Sequence, residues 1–164
     1  VTWQENSPRA GVEGMKAARA MGMISFRTYN TFLHTQSEKT SDKTDNFRAA
    51  SYQRYQGQKL ANRFNAFSYW VLTKVMDSHH VGRGRVSTED ALQKIKARTW
   101  VMGIDSDLLF PLEEQKFLAR HIPGAQLDIL TSLHGHDGFL VEFDQFKKSV
   151  RSFIQSEVKK ETVV

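Results

Sequence analysis

Residues 99–111 read TWVMGIDSDLLFP, and residues 126–139 read QLDILTSLHGHDGF. The first begins with a short apolar run, Thr99–Ile104, and the second with Gln126–Leu130, which reads as the next strand. An apolar run like the first suits a buried parallel strand, which is covered on both faces and needs no polar alternation. Each run then gives way to a loop rich in Gly, Ser, Asp and His. Between them Pro111 opens the stretch PLEEQKFLARHI. Leu112, Leu118, Ala119 and Ile122 keep a helical step there, and Glu113 and Glu114 suit the positive end of a helix. Pro123-Gly124 stops it. A further amphipathic stretch over residues 139–154 is expected to turn Phe143, Phe146, Val150, Phe153 and Ile154 inward. Strand, helix, strand, helix is the order of an α/β fold with a parallel sheet and crossover helices.

The two loops matter because functional groups in open α/β sheets gather beyond the carboxyl ends of the strands. The first loop offers Asp105 and Asp107, and the second offers His134 and His136. An acid followed by a histidine on a later strand end is the chain order of the α/β-hydrolase triad. In that triad the acid fixes the imidazole tautomer, and the imidazole moves the nucleophile's proton. Spacing alone does not choose between Asp105 and Asp107. The histidines lack the carboxylate–histidine spacing of a zinc enzyme, so no metal is expected.

Upstream the chain reads differently. Residues 1–13 look like an entering loop. From Gly14 to about Phe32 the apolar positions recur at helical steps, with Arg19 beside the stripe. Residues 34–47 are almost wholly polar and read as a mobile surface connection. Helical periodicity returns from Ala49 to Phe64, and residues 66–76 (AFSYWVLTKVM) predict a further, more buried helix. Ser87 then opens a short helix with the outline of a capping box, closed by Asp90.

Composition sets the outer limits. Forty per cent hydrophobic and 25% charged residues describe a globular chain. No run approaches the roughly 18 apolar residues of a membrane span, and no secretory leader opens the chain, so no membrane is expected. The absence of cysteine excludes disulfides and thiolate chemistry and fits the cytoplasm. A net charge of +5 raises the question of nucleic acid, but the basic residues are scattered and form no stripe, so none is expected as partner. Two strands cannot make a stable sheet, so the remaining strands are expected from outside this sequence.

A family resemblance rests on specific stretches. They are GIDSDLLFP (Gly103–Pro111), Glu114-Gln115, Ile122-Pro-Gly-Ala125 and HGHDGFLVE (His134–Glu142). Upstream they are Ala18-Arg19 through Ile24-Ser-Phe-Arg27, Ser51-Tyr52 with Tyr55-Gln-Gly57, Arg63-Phe64, Ser68-Tyr69 and MDSHHVGRGR (Met76–Arg85). Together and in this order they resemble the homoserine O-acetyltransferases of the α/β-hydrolase superfamily, in a bacterial form and over its C-terminal portion only.

The resemblance implies an organisation. Residues 1–13 form the entering loop, 14–86 a helical lid and dimerisation region, 87–158 the C-terminal part of the α/β-hydrolase core, and 159–164 a tail. It also implies roles. Asp107 matches the triad acid, which demotes Asp105, and His136 matches the triad histidine. Asp137 matches an acid that binds the amino group of homoserine, and Arg19 matches an arginine that binds its carboxylate, for which a guanidinium fork is suited. A tyrosine usual seven residues after that arginine is Phe26 here. His134 stands where tyrosine is common and receives no catalytic role. Ser106, beside the acid, is on the wrong loop for a nucleophile and is expected to cap or orient it. Gly82-Arg-Gly-Arg85 reads as a turn as readily as a phosphate cradle. No G-x-S-x-G elbow occurs in the sequence.

The implied activity is transfer of an acetyl group from acetyl-CoA to the hydroxyl of L-homoserine in methionine biosynthesis. The implied route is ping-pong through an acyl-serine outside this sequence, without a cofactor, in a homodimer. Homoserine or serine O-succinyl transfer, an esterase sharing the triad, and a non-catalytic fragment are the alternatives.

Overall fold

The computed structural model describes residue 5 and residues 7–161. The chain divides into two compact units, Val1–Ser25 with Tyr29–His80, and Phe26–Thr28 with Val81–Val164.

The first unit is helical. Its elements are α1 (Val12–Phe26), α2 (Tyr29–Gln36), α3 (Arg48–Ala61) and α4 (Ala66–Ser78). Met15, Leu60 and Ala66 form its buried cluster, with Ala61, Phe64 and Tyr69 packed against it. Helices α1 and α3 approach closely at Gly57, where an added Cβ would lie 3.1 Å from the Cβ and carbonyl oxygen of Lys16. Asn65 caps α4 by accepting the Ser68 N–H, which satisfies one of the helix's orphan donors.

The structure departs from sequence expectation here in three places. The helix expected from Gly14 to Phe32 is broken after Phe26 and resumes at Tyr29. At the break Thr28 Oγ1 donates to the Leu133 carbonyl, a tertiary bond that periodicity does not encode. The polar connection over 34–47 is helical as far as Gln36 and is then closed on itself. Glu38 accepts the Arg48 N–H and two Lys43 Nζ contacts at 3.2 and 3.3 Å, while the Arg48 guanidinium donates to the Ser37 and Thr35 carbonyls. Third, α4 is not a buried helix. Only Ala66 is buried, and Phe67, Trp70, Leu72, Val75 and Met76 are exposed. Its apolar residues surround the axis, so one buried stripe cannot cover them.

The second unit carries the sheet. Ser87 caps α5 (Thr88–Gln93) by accepting the Asp90 N–H at 3.0 Å. Strands β1 (Trp100–Ile104) and β2 (Gln126–Leu130) pair in parallel, from Trp100 opposite Gln126 to Ile104 opposite Leu130. Helix α6 (Leu112–His121) connects them, with Pro111 in the N-cap position rather than the first turn. A 3-10 turn (Gly135–Asp137), α7 (Gly138–Val141) and α8 (Phe143–Glu161) follow. Trp100 anchors the sheet to α8: its ring stacks 6.0 Å from Phe153 and lies 6.2 Å from Phe146. Arg98 adds a guanidinium 3.9 Å over the Phe153 ring, a cation–π contact, and a bond to the Phe153 carbonyl.

Of the five α8 positions expected inward, Phe143 and Ile154 are exposed. Ile154 is one residue past Phe153 and so lies about 100° around the helix from it. The stretch expected as one helix from 139 also breaks at Glu142. Helix α8 runs on to Glu161, so part of the expected tail is helical; residues 162–164, like residues 1–4 and 6 of the entering loop, lie outside those described. Among the described residues no helix is long and apolar enough to cross a membrane.

Candidate active site

Because β1 and β2 are parallel and end opposite each other at Ile104 and Leu130, the loops that follow leave the sheet side by side. The Asp105 N–H continues the ladder to the Leu130 carbonyl at 3.0 Å. From there the two aspartates part. Asp105 is exposed, and its Oδ1 accepts the Ser132 N–H at 3.1 Å. Asp107 is buried, with its side chain only 5% exposed. Its Oδ1 accepts the N–H groups of Leu109 (2.8 Å) and Phe110 (3.0 Å), while Oδ2 lies 2.9 Å from His136 Nδ1. The ambiguity left by spacing is thus resolved in geometry, since Asp107 and not Asp105 meets the histidine.

This arrangement has a chemical direction. An ionised carboxylate only accepts, so Nδ1 carries the proton it shares and Nε2 is left as the acceptor in the neutral ring. An imidazole held that way is a general base with its cation stabilised from behind. Three aromatic rings surround it: Phe110 edge-on at 5.1 Å, Phe26 at 6.1 Å and Phe139 at 6.1 Å. A cavity of about 220 Å³ opens beside the pair, lined in part by Ile104, Asp107, Phe110, His136 and Phe139. Among the described residues no hydroxyl hydrogen-bonds His136.

The two loops are stitched together by groups that sequence reasoning undervalued. The Ser106 hydroxyl donates to the Ser132 carbonyl (2.6 Å) and accepts the Gly135 N–H (3.1 Å). Ser106 therefore ties the acid loop to the histidine loop and does not cap Asp107. Ser132 is buried; its hydroxyl donates to Glu142 Oε1 and accepts the His134 N–H, both at 3.1 Å. No spacing rule singles out Ser132 or Glu142; their role exists only once the loops are side by side.

Asp137 sits one residue past the histidine, and its Oδ2 pairs with Arg27 Nε at 2.9 Å. Sequence reasoning did not anticipate that pairing. Gly135 makes room for it. Its φ of +63° is left-handed, and an added Cβ would lie 3.1 Å from the Phe26 carbonyl oxygen and 3.4 Å from Arg27 Cα. Arg19 is half-buried on α1 and belongs to the first unit, whereas Asp107, His136 and Asp137 belong to the second. His134 is half-buried at the cap of the 3-10 turn. Among the described residues no three His, Asp or Glu side chains are grouped to hold a metal ion.

No family model matches the chain. A homoserine O-acetyltransferase of Cyclobacterium marinum is 49% identical over 152 residues, covering 93% of this chain and 43% of that protein. The chain thus spans less than half the length of the curated relatives it matches. Among solved structures, a homoserine O-acetyltransferase from Staphylococcus aureus superposes with a TM-score of 0.69 at 26% identity, over 88% of this chain and 42% of the other. Esterase E22 superposes with a TM-score of 0.76 at 17% identity, over 90% of this chain and 44% of the other, which speaks for the fold alone.

Proposed function

Since the chain belongs with the homoserine O-acetyltransferases and forms a C-terminal portion of an α/β-hydrolase fold, we propose that it supplies the acid and the base of an acyl-transfer triad. The observation that carries this reading is the 2.9 Å contact between His136 Nδ1 and the buried Asp107 carboxylate at the carboxyl edge of the sheet.

The proposed reaction moves an acetyl group from acetyl-CoA to the γ-hydroxyl of L-homoserine, a step towards methionine. It requires a serine from a segment beyond these residues. His136 Nε2 takes that serine's proton as its oxygen attacks the thioester carbonyl, and the proton leaves on the coenzyme A thiol. His136 then deprotonates the homoserine hydroxyl, which attacks the acyl-serine, and the proton returns to the serine oxygen. Asp107 stays ionised and steadies the imidazolium in both halves. Asp137 binds the amino group of homoserine. Arg19 binds its carboxylate, the role that the family resemblance implies. The exposed apolar residues of α4 support pairing of two copies through the helical region, since such patches commonly mark interfaces.

The experiment uses the complete polypeptide that contains these residues. Acetyl-CoA with L-homoserine releases free thiol, read with a thiol reagent, and yields O-acetylhomoserine by mass spectrometry. Succinyl-CoA and L-serine run alongside distinguish the sister transferases. Hydrolysis of acetyl esters without transfer to any amino acid would replace this reading with an esterase.

A further inference from the structure

Three consecutive residues at the break between α1 and α2 hold the histidine loop, each by a different kind of contact. The Phe26 ring lies 6.1 Å from the His136 ring, Arg27 Nε pairs with Asp137 Oδ2 at 2.9 Å, and Thr28 Oγ1 donates to the Leu133 carbonyl. The left-handed Gly135 lets the backbone of these three residues come close enough to do so. The geometry points to Arg27 as a positioning residue that sets the orientation of Asp137 and so governs recognition of the acceptor's amino group. This inference rests on the function proposed above.

A carboxylate has two oxygens and about four lone-pair sites. Arg27 engages Oδ2, and Asp137 Oδ1 makes no hydrogen bond among the described residues, so one oxygen remains for an ammonium group. The pair is shielded, with side chains 27% and 24% exposed, so salt screens it less than a surface pair. Without Arg27 the Asp137 side chain gains rotameric freedom beside His136. The carboxylate then meets an incoming ammonium in a spread of orientations, and part of the binding free energy is lost to ordering it. The proton-transfer pair is a different contact: Asp107 and His136 meet without Arg27. Arg27 therefore acts on the acceptor and not on acyl-enzyme formation.

Two readouts in the complete polypeptide separate these steps. p-Nitrophenyl acetate reports acylation through its burst of p-nitrophenol, and acetyl transfer to L-homoserine reports the acceptor. Arg27→Gln is expected to raise KM for homoserine about tenfold while the burst rate changes less than threefold. In an Asp137→Asn background the same substitution should add less than twofold, because its effect runs through that carboxylate. Arg27→Lys keeps the charge without the Nε–H and should recover part of the lost KM. It also serves as the test variant if Arg27→Gln does not fold. A burst that falls in step with transfer, an unchanged KM, or full additivity with Asp137→Asn would each overturn the assignment. If the unaltered protein shows a burst but no transfer to homoserine, the acceptor reading itself falls, and Arg27's role with it.

Discussion

Asp107→Asn is the substitution on which the acid–base reading stands. The carboxylate makes three bonds, and they split by oxygen. Oδ1 serves the loop through the N–H groups of Leu109 and Phe110, while Oδ2 serves His136. An asparagine carbonyl takes over Oδ1 with nearly the same shape, so the loop keeps its two bonds and stability should change by less than about 1 kcal/mol. The other position becomes an NH₂ group facing Nδ1. Two donors cannot share a hydrogen bond, so the ring turns its Nδ1 into the acceptor and puts the proton on Nε2. The base is thereby lost in its resting form, and the imidazolium loses its counter-charge. A fall of about 10³–10⁴ in the acylation rate is expected, as for the same exchange in other triads. That corresponds to about 4–5.5 kcal/mol of transition-state free energy. The assay is the single-turnover p-nitrophenol burst in the complete polypeptide, with thermal unfolding measured in parallel. Retention of more than a tenth of the wild-type rate would refute the reasoning. So would an equal loss in Asp105→Asn, whose carboxylate holds Ser132 and not the histidine.

Gly135→Ala places a Cβ 3.1 Å from the Phe26 carbonyl in a left-handed conformation, which alone costs about 1–2 kcal/mol. Reduced thermal stability and a burst at least tenfold slower are expected; a neutral outcome would mean that residues 26–28 do not press on this loop. A second expectation concerns pH. The Arg48 N–H, and after it Lys43, hold the Glu38 carboxyl below the usual glutamate range. A group depressed in the folded state stabilises it above its unfolded pKa, and that contribution disappears as pH falls through the folded value. Hydrogen-exchange protection of the Arg48 amide should therefore be steady above the usual glutamate pKa and fall away below it, and Glu38→Gln should remove the dependence.

Periodicity and end signals carried much of this fold. The strand runs ended at Ile104 and Leu130 as expected, and Ser87 and Pro123-Gly124 marked helix ends where the structure has them. These signals are local, and so are the forces behind them. What the sequence hid depends on neighbours distant along the chain. At the break after Phe26, Thr28 bonds a residue 105 positions away, and Arg27 meets Asp137 across 110 residues. The choice of Asp107 over Asp105 was invisible to spacing because both aspartates sit on the same loop. Burial and direction separate them, and neither exists before β1 and β2 pair. Helix α4 shows the opposite failure: strong hydrophobicity says that a surface will be covered, but not by what.

The stitching of the two loops has a consequence for how such sites diversify. Asp105, Ser106, Ser132 and Glu142 bind one another and the backbone, so the proton-handling unit is tuned by its own neighbourhood. Nothing in that network refers to the group being transferred or to the molecule that receives it. A change of donor or acceptor preference would therefore have to be made on other surfaces, because these bonds hold the Asp107 and His136 loops side by side whatever is bound.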